Sequence, residues 1–388
     1  MNKQILAAAV AAAMFAPAVA SADVTVYGRA QVEYSVEDYD GQDSVQSVDD
    51  SAGQSRIGFK FKEKLGGGLT AFGKAEFKID PADNNDGGTG GSAGDKGVGG
   101  TGNEGTNNAA GITSALGQRD VFVGIKGSFG SISAGSHNSP YKVSGGVKWD
   151  AFNATHLQAR RAGGMTGGTG IGGHNGFVRN SIMYTSPNVN GFKVSFLIAP
   201  DETNANATRN VDDGDNDYSI GVNYKNGPWH AIFAHNRNNQ PSTINGGDDE
   251  TLTKVGLKWK SGPWALAGQY EVVSDASAVD SGGAPGIGAG GAAYRIGNFA
   301  DGDVLFLQAQ YKAGNNIFVA TYGNTDVDGD SGASDYDHDM FTIGVIHKFS
   351  KKTRIFGGYT ETDGDSDSGE SSGRVDRQAW SVGIRKDF

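Results

Sequence analysis

The sequence QRDVFVGIKGSFGSISAGS, residues 118–136, decides the fold. Two short strand-like runs in it are joined by a Gly-rich turn at 127–130. About forty residues without a strand pattern follow at 137–178, and the strand pattern resumes at Arg179. A loop of that length is uncommon in a compact domain unless it is functional. We therefore predict that this loop folds into the interior of a β-barrel and narrows it.

Composition and the N-terminal residues limit the class of protein. The chain has 388 residues, no Cys, 62 Gly and a formal net charge of −11. The lack of Cys excludes a disulfide scaffold and a thiolate metal site, and the acidic balance argues against nucleic acid as a partner. Lys3, an apolar run at 5–15 and an A-x-A site at 20–22 predict a signal peptide over 1–22. No later stretch is apolar enough for a transmembrane helix. The mature chain, 23–388, is therefore either soluble and exported or crosses a membrane as strands.

Period-two alternation favours strands along most of the chain. At the C-terminus, for example, Ser381 and Arg385 alternate with Trp380 and Val382. A soluble β-sandwich would show the same alternation, with its apolar face turned inward. Alternately short and long connections, runs of membrane-spanning length and aromatic residues at the run ends favour a transmembrane barrel instead. We predict an all-β, antiparallel transmembrane β-barrel with long extracellular loops and about sixteen strands. They lie at 24–35, 55–63, 69–78, 119–126, 131–136, 179–186, 191–199, 217–225, 228–236, 251–260, 263–273, 303–312, 316–324, 338–348, 353–362 and 375–388.

Several short motifs, in order along the mature chain, resemble the Gram-negative general porins, especially the neisserial-type branch. They are YGR at 27–29, SRIGFK at 55–60, EKLGGGL at 63–69, GIKGSFG at 124–130, RNS at 179–181 and the terminal Phe388. The resemblance implies a homotrimer in the outer membrane, in contact with lipid and lipopolysaccharide. It also implies that the third loop folds inward and that the barrel-insertion machinery reads Phe388. The loop at 79–117 then either reaches over a neighbouring subunit or is a low-complexity, disordered loop.

A constriction that sorts ions needs fixed charges in a narrow lumen with walls of low dielectric constant. By the motifs of the family, a basic row falls on Arg29, Arg56, Arg119 and Arg179. Alternation independently places Arg29 and Arg56 on the lumen face, and it places Arg179 on the face of Ser181. Arg119 shares its face with apolar side chains, which fits the lumen only if the folded loop covers them. Each Arg alone would more often be a solvated surface charge.

The loop at 137–178 carries Asp150 as its one acid, and its basic residues are Lys142, Lys148, Arg160 and Arg161. With the basic row, and with Lys74 on the lumen side by parity, this predicts a cationic constriction. The expected function is therefore a water-filled channel for passive diffusion of small hydrophilic solutes and ions, with a preference for anions. A substrate-specific channel is the nearest alternative.

Other chemistry has weak support. Acidic segments at 326–330 and 363–367 lack the Gly, Glu and helical flanks of a calcium loop, although divalent ions could bridge such acids to lipopolysaccharide. No zinc-type His pairing, phosphate-binding loop or nucleophile elbow occurs. We expect no cofactor and no resident metal. A barrel enzyme with a Ser/His/Asp set in its wall remains a distant alternative, because such a set has no fixed spacing.

Overall fold

A computed structural model describes most of the chain. The described residues are 23–39, 43–50, 55–79, 81, 118–160, 163–166, 177–200, 216–238, 249–276, 300–329, 336–366 and 376–388. The predicted signal peptide, nearly all of the loop predicted at 79–117, and Arg161 lie outside them. None of the helices in the described ranges is long and apolar enough to cross a membrane.

The described residues form seventeen antiparallel strands in one sheet. They are β1 (Asp23–Tyr39), β2 (Val45–Asp49), β3 (Arg56–Gly66), β4 (Leu69–Lys78), β5 (Gln118–Gly127), β6 (Gly130–Asn138), β7 (Phe177–Thr185), β8 (Phe192–Ala199), β9 (Asp217–Asn226), β10 (Trp229–Asn238), β11 (Glu250–Ser261), β12 (Trp264–Ala276), β13 (Ala300–Ala313), β14 (Asn316–Gly329), β15 (Tyr336–Lys348), β16 (Thr353–Ser366) and β17 (Arg377–Asp387). A short helix, α1 (Pro140–Val143), follows β6.

The sheet closes on itself between its first and last strands. β1 pairs with β17 from Arg29–Asp387 to Tyr39–Arg377. At the end of the chain, Phe388 and Gly28 exchange two backbone hydrogen bonds of 3.1 and 3.2 Å. The Phe388 ring lies so close to Gly28 that a Cβ on Gly28 would come within 2.2 Å of it. Glycine in the YGR motif thus makes room for the ring that completes the closure.

Seventeen strands occupy sixteen positions in the wall. On the edge opposite β17, β1 pairs with β3 through residues 23–29 and with β2 through residues 33–37. β2 and β3 are therefore two pieces of one wall strand, interrupted between Asp49 and Arg56. The prediction of a sixteen-stranded barrel is confirmed, but the predicted second strand at 55–63 omitted the β2 piece.

The barrel is inside out relative to a soluble sheet. On β17, Trp380 and Val382 are 59% and 56% exposed, whereas the intervening Ser381 is 5% exposed. Charged side chains such as Glu33 and Lys254 are buried in the interior, at 1% and 2% exposure. An outward apolar face and a polar interior are the pattern of an outer-membrane barrel, not of a β-sandwich.

The two ends of the barrel differ. Seven tight connections join β3 to β4, β5 to β6, β7 to β8, β9 to β10, β11 to β12, β13 to β14 and β15 to β16. Next to them lie paired aromatic rings, such as Trp229 with Trp259 and Trp264 with Tyr311. All the long connections between strands start at the opposite end. This asymmetry matches the short periplasmic turns, aromatic girdle and long extracellular loops of outer-membrane barrels.

Several strands extend past their predicted ends into acidic segments. Asp326 lies in β14 and Asp363 in β16, although the predicted strands ended at 324 and 362. Beyond the apolar band of the membrane, the outer face of a strand no longer has to be apolar. Backbone pairing can therefore continue where hydrophobic alternation no longer signals it.

Candidate functional site

The third long connection, 139–176 (loop 3), turns into the barrel instead of leaving it, as predicted. It begins with α1, whose first turn is fixed by Pro140 and by the Ser139 hydroxyl, which accepts a hydrogen bond from the Lys142 amide at 3.0 Å. A second helical turn follows at Gly146–Lys148. Most side chains of loop 3 in the described ranges are buried, so the barrel interior, not solvent, surrounds it.

The first anchor of loop 3 is a buried cluster around Tyr141. The Tyr141 hydroxyl donates a hydrogen bond to Glu271 on β12 at 2.5 Å, and the Tyr141 amide donates to Ser219 on β9 at 3.0 Å. Lys254, the cross-strand partner of Glu271, lies 4.0 Å over the Tyr141 ring. Thr166, near the other end of loop 3, also donates to Glu271. One carboxylate thereby holds both limbs of the loop.

Between these ends, loop 3 is joined to the wall by amide hydrogen bonds and apolar contacts. Gly146 donates to Gln269 at 2.6 Å, and Ala151 donates to Gln308 at 3.1 Å. Two buried apolar clusters join the loop to strands β10–β16. They contain Val147, Trp149, Ala159 and Met165 with Ile232, Ala267, Phe306 and Met340, and Phe152 and Leu157 with Val319, Ile346 and Phe356. Loop 3 therefore fills one side of the lumen.

On the opposite side, a cavity of about 430 Å³ remains between loop 3 and the wall. Its charged lining comprises ten basic and three acidic side chains. The basic ones are Arg29, Arg56, Lys74, Arg119, Lys142, Lys148, Arg160, Lys258, Arg354 and Arg385, and the acidic ones are Glu76, Asp120 and Asp150. The cavity is therefore strongly cationic, although the whole chain is acidic.

Two of the three acids lie on the same wall as the basic row. Glu76 binds Arg119 at 2.8 Å, Lys74 at 3.1 Å and Arg56 at 3.5 Å. Asp120 binds Lys74 and also accepts hydrogen bonds from Asn138. These acids hold the basic side chains in place and leave the wall with an excess of positive charge. Because these basic side chains are already held in place, they need not reorganise when an anion enters the cavity.

Asp150 is the acid predicted for the constriction, and its main hydrogen-bond donors are backbone amides of loop 3 itself. It accepts hydrogen bonds from the Phe152 amide at 2.9 Å and from the Ala159 amide at 3.0 Å. Burial raises the pKa of its carboxyl group despite these bonds. Asp150 therefore closes a turn of loop 3 at the edge of the cavity, and its carboxylate oxygens are occupied by these backbone amides.

Arg119 faces the lumen because of a β-bulge. Ala75 pairs with Val121 and Phe77 with Gln118, so Arg119 and Asp120 together oppose the single residue Glu76. Two residues opposite one interrupt the alternation. The sequence set one condition for Arg119 to face the lumen, that loop 3 covers its apolar neighbours, and this condition is not met, since Val123 on β5 is 57% exposed on the outside. The motif assignment placed Arg119 in the lumen, and the structure gives a different reason for it.

A second bulge removes Arg179 from the cavity. Gly135 pairs with Ser181 and His137 with Val178, so Arg179 and Asn180 both oppose Ser136. Asn180 has a φ of 50°, which marks the irregularity. Arg179 is exposed and does not line the cavity. The expectation that it shares a face with Ser181 is wrong, because strict alternation was carried across an inserted residue.

Five basic residues of the lining were not among the predicted site residues: Lys142, Lys148, Lys258, Arg354 and Arg385. Alternation had already placed Arg385 with Ser381 on the inner face, and Lys142 and Lys148 were counted in the charge of the loop. None of Lys148, Lys258 and Arg354 forms an ion pair with another described residue. Arg29 and Arg385 share Asp387, at 2.7 and 3.4 Å.

An inside-out barrel narrowed by an inward loop, with one side of its lumen lined by basic residues, defines a channel-type outer-membrane barrel. The model of the Gram-negative porin family matches residues 7–367. The chain belongs to the Gram-negative porin family, which is located in the outer membrane.

Comparisons with individual proteins agree with this assignment. The major outer membrane protein P.IB of Neisseria gonorrhoeae is 30% identical over 245 residues, which cover 60% of this chain and 56% of that protein. The aligned part is therefore little more than half the length of the curated relative. An anion-selective porin from Comamonas acidovorans has a TM-score of 0.69 at 22% identity, covering 95% of this chain and 100% of the other. Salmonella typhi OmpF, in a complex with daunomycin, has a TM-score of 0.65 at 16% identity over 94% and 97% of the chains. These two structural matches establish the fold.

Proposed function

We propose that this chain forms a water-filled channel for the passive diffusion of small hydrophilic solutes and ions, and that the channel prefers anions. The observation that carries the proposal is the cavity beside loop 3, with ten basic and three acidic side chains. A barrel of sixteen strands is wide enough for an aqueous channel. Low-dielectric walls focus the field of such a charge set and raise the local concentration of the opposite ion.

The proposal extends to partners. The anion-selective porin of Comamonas acidovorans shares the fold, which supports the proposed anion preference. As in the general porins, the functional unit proposed is a homotrimer in contact with outer-membrane lipid and lipopolysaccharide. Phe388, which is 48% exposed and ends the closing strand, is proposed as the signal for the barrel-insertion machinery.

Reversal potentials across a planar bilayer with a KCl gradient test the ion preference. We expect a sign that corresponds to chloride permeating faster than potassium. A potassium preference would overturn the proposal of anion preference, and a lack of conductance would overturn the channel itself. Solute flux that saturates at low concentration would identify a substrate-specific channel. Ester hydrolysis by pure protein without conductance would identify an enzyme.

The variant Arg56→Ser tests the basic row. Loss of one lumen charge is worth about 0.5–1 kcal/mol in a partly screened, water-filled site, so the anion-to-cation permeability ratio should fall about twofold to fivefold. The barrel should still fold, because Glu76 keeps Arg119 and Lys74 as partners. Lys62→Ser is the matched control, since Lys62 is on the same strand but 62% exposed and paired with Asp23. Equal effects of the two variants would contradict a special role for Arg56.

We expect the anion preference to decline with rising pH, and to do so at a pH below the usual pKa of a lysine. Burial in the lumen, followed by Arg160 and Arg119, lowers the pKa of Lys142 well below its usual value. Burial, followed by Arg56 and Lys74, lowers the pKa of Lys148, and burial lowers the pKa of Arg160 to about 10. A lowered pKa means that the positive charge is lost at lower pH. Reversal potentials measured from about pH 7 to about pH 10 should therefore move steadily toward zero. A ratio that stays constant over that interval would contradict the assignment.

A further inference from the structure

A second cluster of charged residues lies away from the cationic cavity, where the far part of loop 3 meets the wall. His156 of loop 3 is fully buried there, between Glu33 and Glu37 of β1 and Asp49 of β2. Arg377 of β17 lies on the same side of the barrel. None of these residues lines the cavity beside loop 3, so the proposed conduction path does not account for them.

Three of these side chains can present ligand atoms to one point. One nitrogen of His156 and one carboxylate oxygen each from Glu33 and Asp49 all lie within 4.8 Å of one another. His156 Nε2 is 2.8 Å from Asp49 Oδ1, and the His156 amide donates to Glu33 Oε2 at 3.0 Å. Two atoms bound to one tetrahedral zinc ion at about 2.0–2.1 Å are about 3.3 Å apart. If His156 Nε2 and Asp49 Oδ1 moved apart by about 0.5 Å, a zinc ion could therefore bind between them.

The charges in the cluster also favour a cation. Three acidic side chains, of Glu33, Glu37 and Asp49, surround His156, and Arg377 pairs with Glu37 among the described residues. Uncompensated charge is costly in a buried site. Glu33 is 1% exposed, and its Oε1 atom is buried without a hydrogen-bond partner among the described residues. A buried carboxylate oxygen that lacks a partner is the atom that a metal ion would satisfy.

The far side of the His156 ring is arranged as in protein zinc sites. His156 Nδ1 forms a hydrogen bond with Glu37, and Arg377 Nε donates to the other oxygen of Glu37 at 3.1 Å. Arg377 also donates to the His156 carbonyl oxygen at 3.2 Å. Metal-binding histidines commonly donate their second nitrogen to a carboxylate, which fixes the ring and the tautomer. Glu37 is therefore a positioning residue that leaves Nε2 directed at Asp49 and Glu33.

We propose that Glu33, Asp49 and His156 bind one divalent cation of the zinc class, with Glu37 orienting His156. Imidazole nitrogen with carboxylate oxygen suits Zn²⁺ better than Mg²⁺ or Ca²⁺, which prefer oxygen alone. The cation takes the place of the proton between Nε2 and Asp49. Asp49, with a side chain 25% exposed, provides the route of access. The bound ion joins loop 3 to β1 and β2, which lie more than a hundred residues earlier in the sequence, and so fastens the loop to the wall.

Calorimetric titration of the detergent-folded full chain with ZnCl₂ tests the proposal. We expect one zinc ion per chain and no comparable heat from MgCl₂. Cobalt(II) should give the visible absorption of a tetrahedral N/O site. Zinc affinity should fall about tenfold to a hundredfold in Glu37→Gln, the usual loss for an orienting partner. It should fall further in His156→Gln and in Asp49→Asn.

The control is His235→Gln, because His235 lies on β10 and bonds to Thr253 outside the cluster. Should His156→Gln disturb loop 3, Asp49→Asn still decides, since its side chain lies at the solvent-facing edge. No zinc binding by the unaltered protein overturns the proposal, and so does unchanged affinity in His156→Gln or Asp49→Asn. In that case the cluster is a set of hydrogen bonds alone. The titration does not depend on conductance, so its result is separate from that of the channel test.

Discussion

Lys148→Glu is expected to lower the anion-to-cation permeability ratio by about fivefold to tenfold. The variant changes the local charge by two units in a focusing site, which is worth about 1–1.4 kcal/mol. Lys148 lines the cavity and forms no ion pair with another described residue. Its replacement therefore costs little stability. Reversal potentials in a KCl gradient measure the ratio directly.

Lys351→Glu is the matched control, because Lys351 is exposed in the short turn before β16, outside the cavity lining. It makes the same change in net charge. A ratio that falls equally in both variants would show that overall charge, not the constriction, sets the preference. Unchanged selectivity in Lys148→Glu would remove loop 3 from the selectivity filter.

Glu271→Leu is expected to loosen loop 3 by about 3–5 kcal/mol, because it leaves the buried ammonium group of Lys254 without its facing carboxylate. It also removes the acceptor for Tyr141 and Thr166, which hold the two limbs of the loop. Hydrogen exchange of loop 3 amides should accelerate accordingly, while the strand amides stay protected. Single-channel conductance should rise and fluctuate, since the loop no longer stays against the wall.

The double variant Glu271→Leu with Lys254→Met separates the two contributions. If the stranded charge of Lys254 dominates, the second change restores most of the protection of the loop. Glu361→Leu is the control on the barrel wall, because Glu361 bonds to Tyr359 on its own strand and not to loop 3. Normal exchange and conductance in Glu271→Leu would show that the remaining loop contacts suffice without this anchor.

Much of the barrel could be predicted from the sequence because each strand has a simple rule. Side chains such as Trp380 face lipid and those such as Ser381 face the interior, so alternation alone indicates the class of barrel. The rule fails where pairing continues beyond the membrane. β2 is short, and Asp326 and Asp363 lie in strand segments that alternation could not distinguish from loops.

The site was less predictable, because β-bulges locally interrupt the alternation of inward and outward side chains. One extra residue turns Arg119 inward with Asp120, and another interrupts the alternation at Arg179, which does not line the cavity. Alternation contains no signal for either insertion, and the positive φ of Asn180 becomes visible only in three dimensions. The partners of Asp150 were also out of reach, since they are backbone amides of the folded loop. The His156 cluster joins segments more than a hundred residues apart, which no local motif could show.

The apolar underside of loop 3 determines how uniform the aperture is. To retract, the loop would have to expose Trp149, Phe152 and Leu157 to water, at a cost of roughly 2 kcal/mol for each side chain. That total, about 6 kcal/mol, corresponds to fewer than about one retracted loop in ten thousand chains. All channels in a population therefore have the same aperture and the same size limit. A solute slightly above that limit cannot permeate through a minority of channels with a retracted loop.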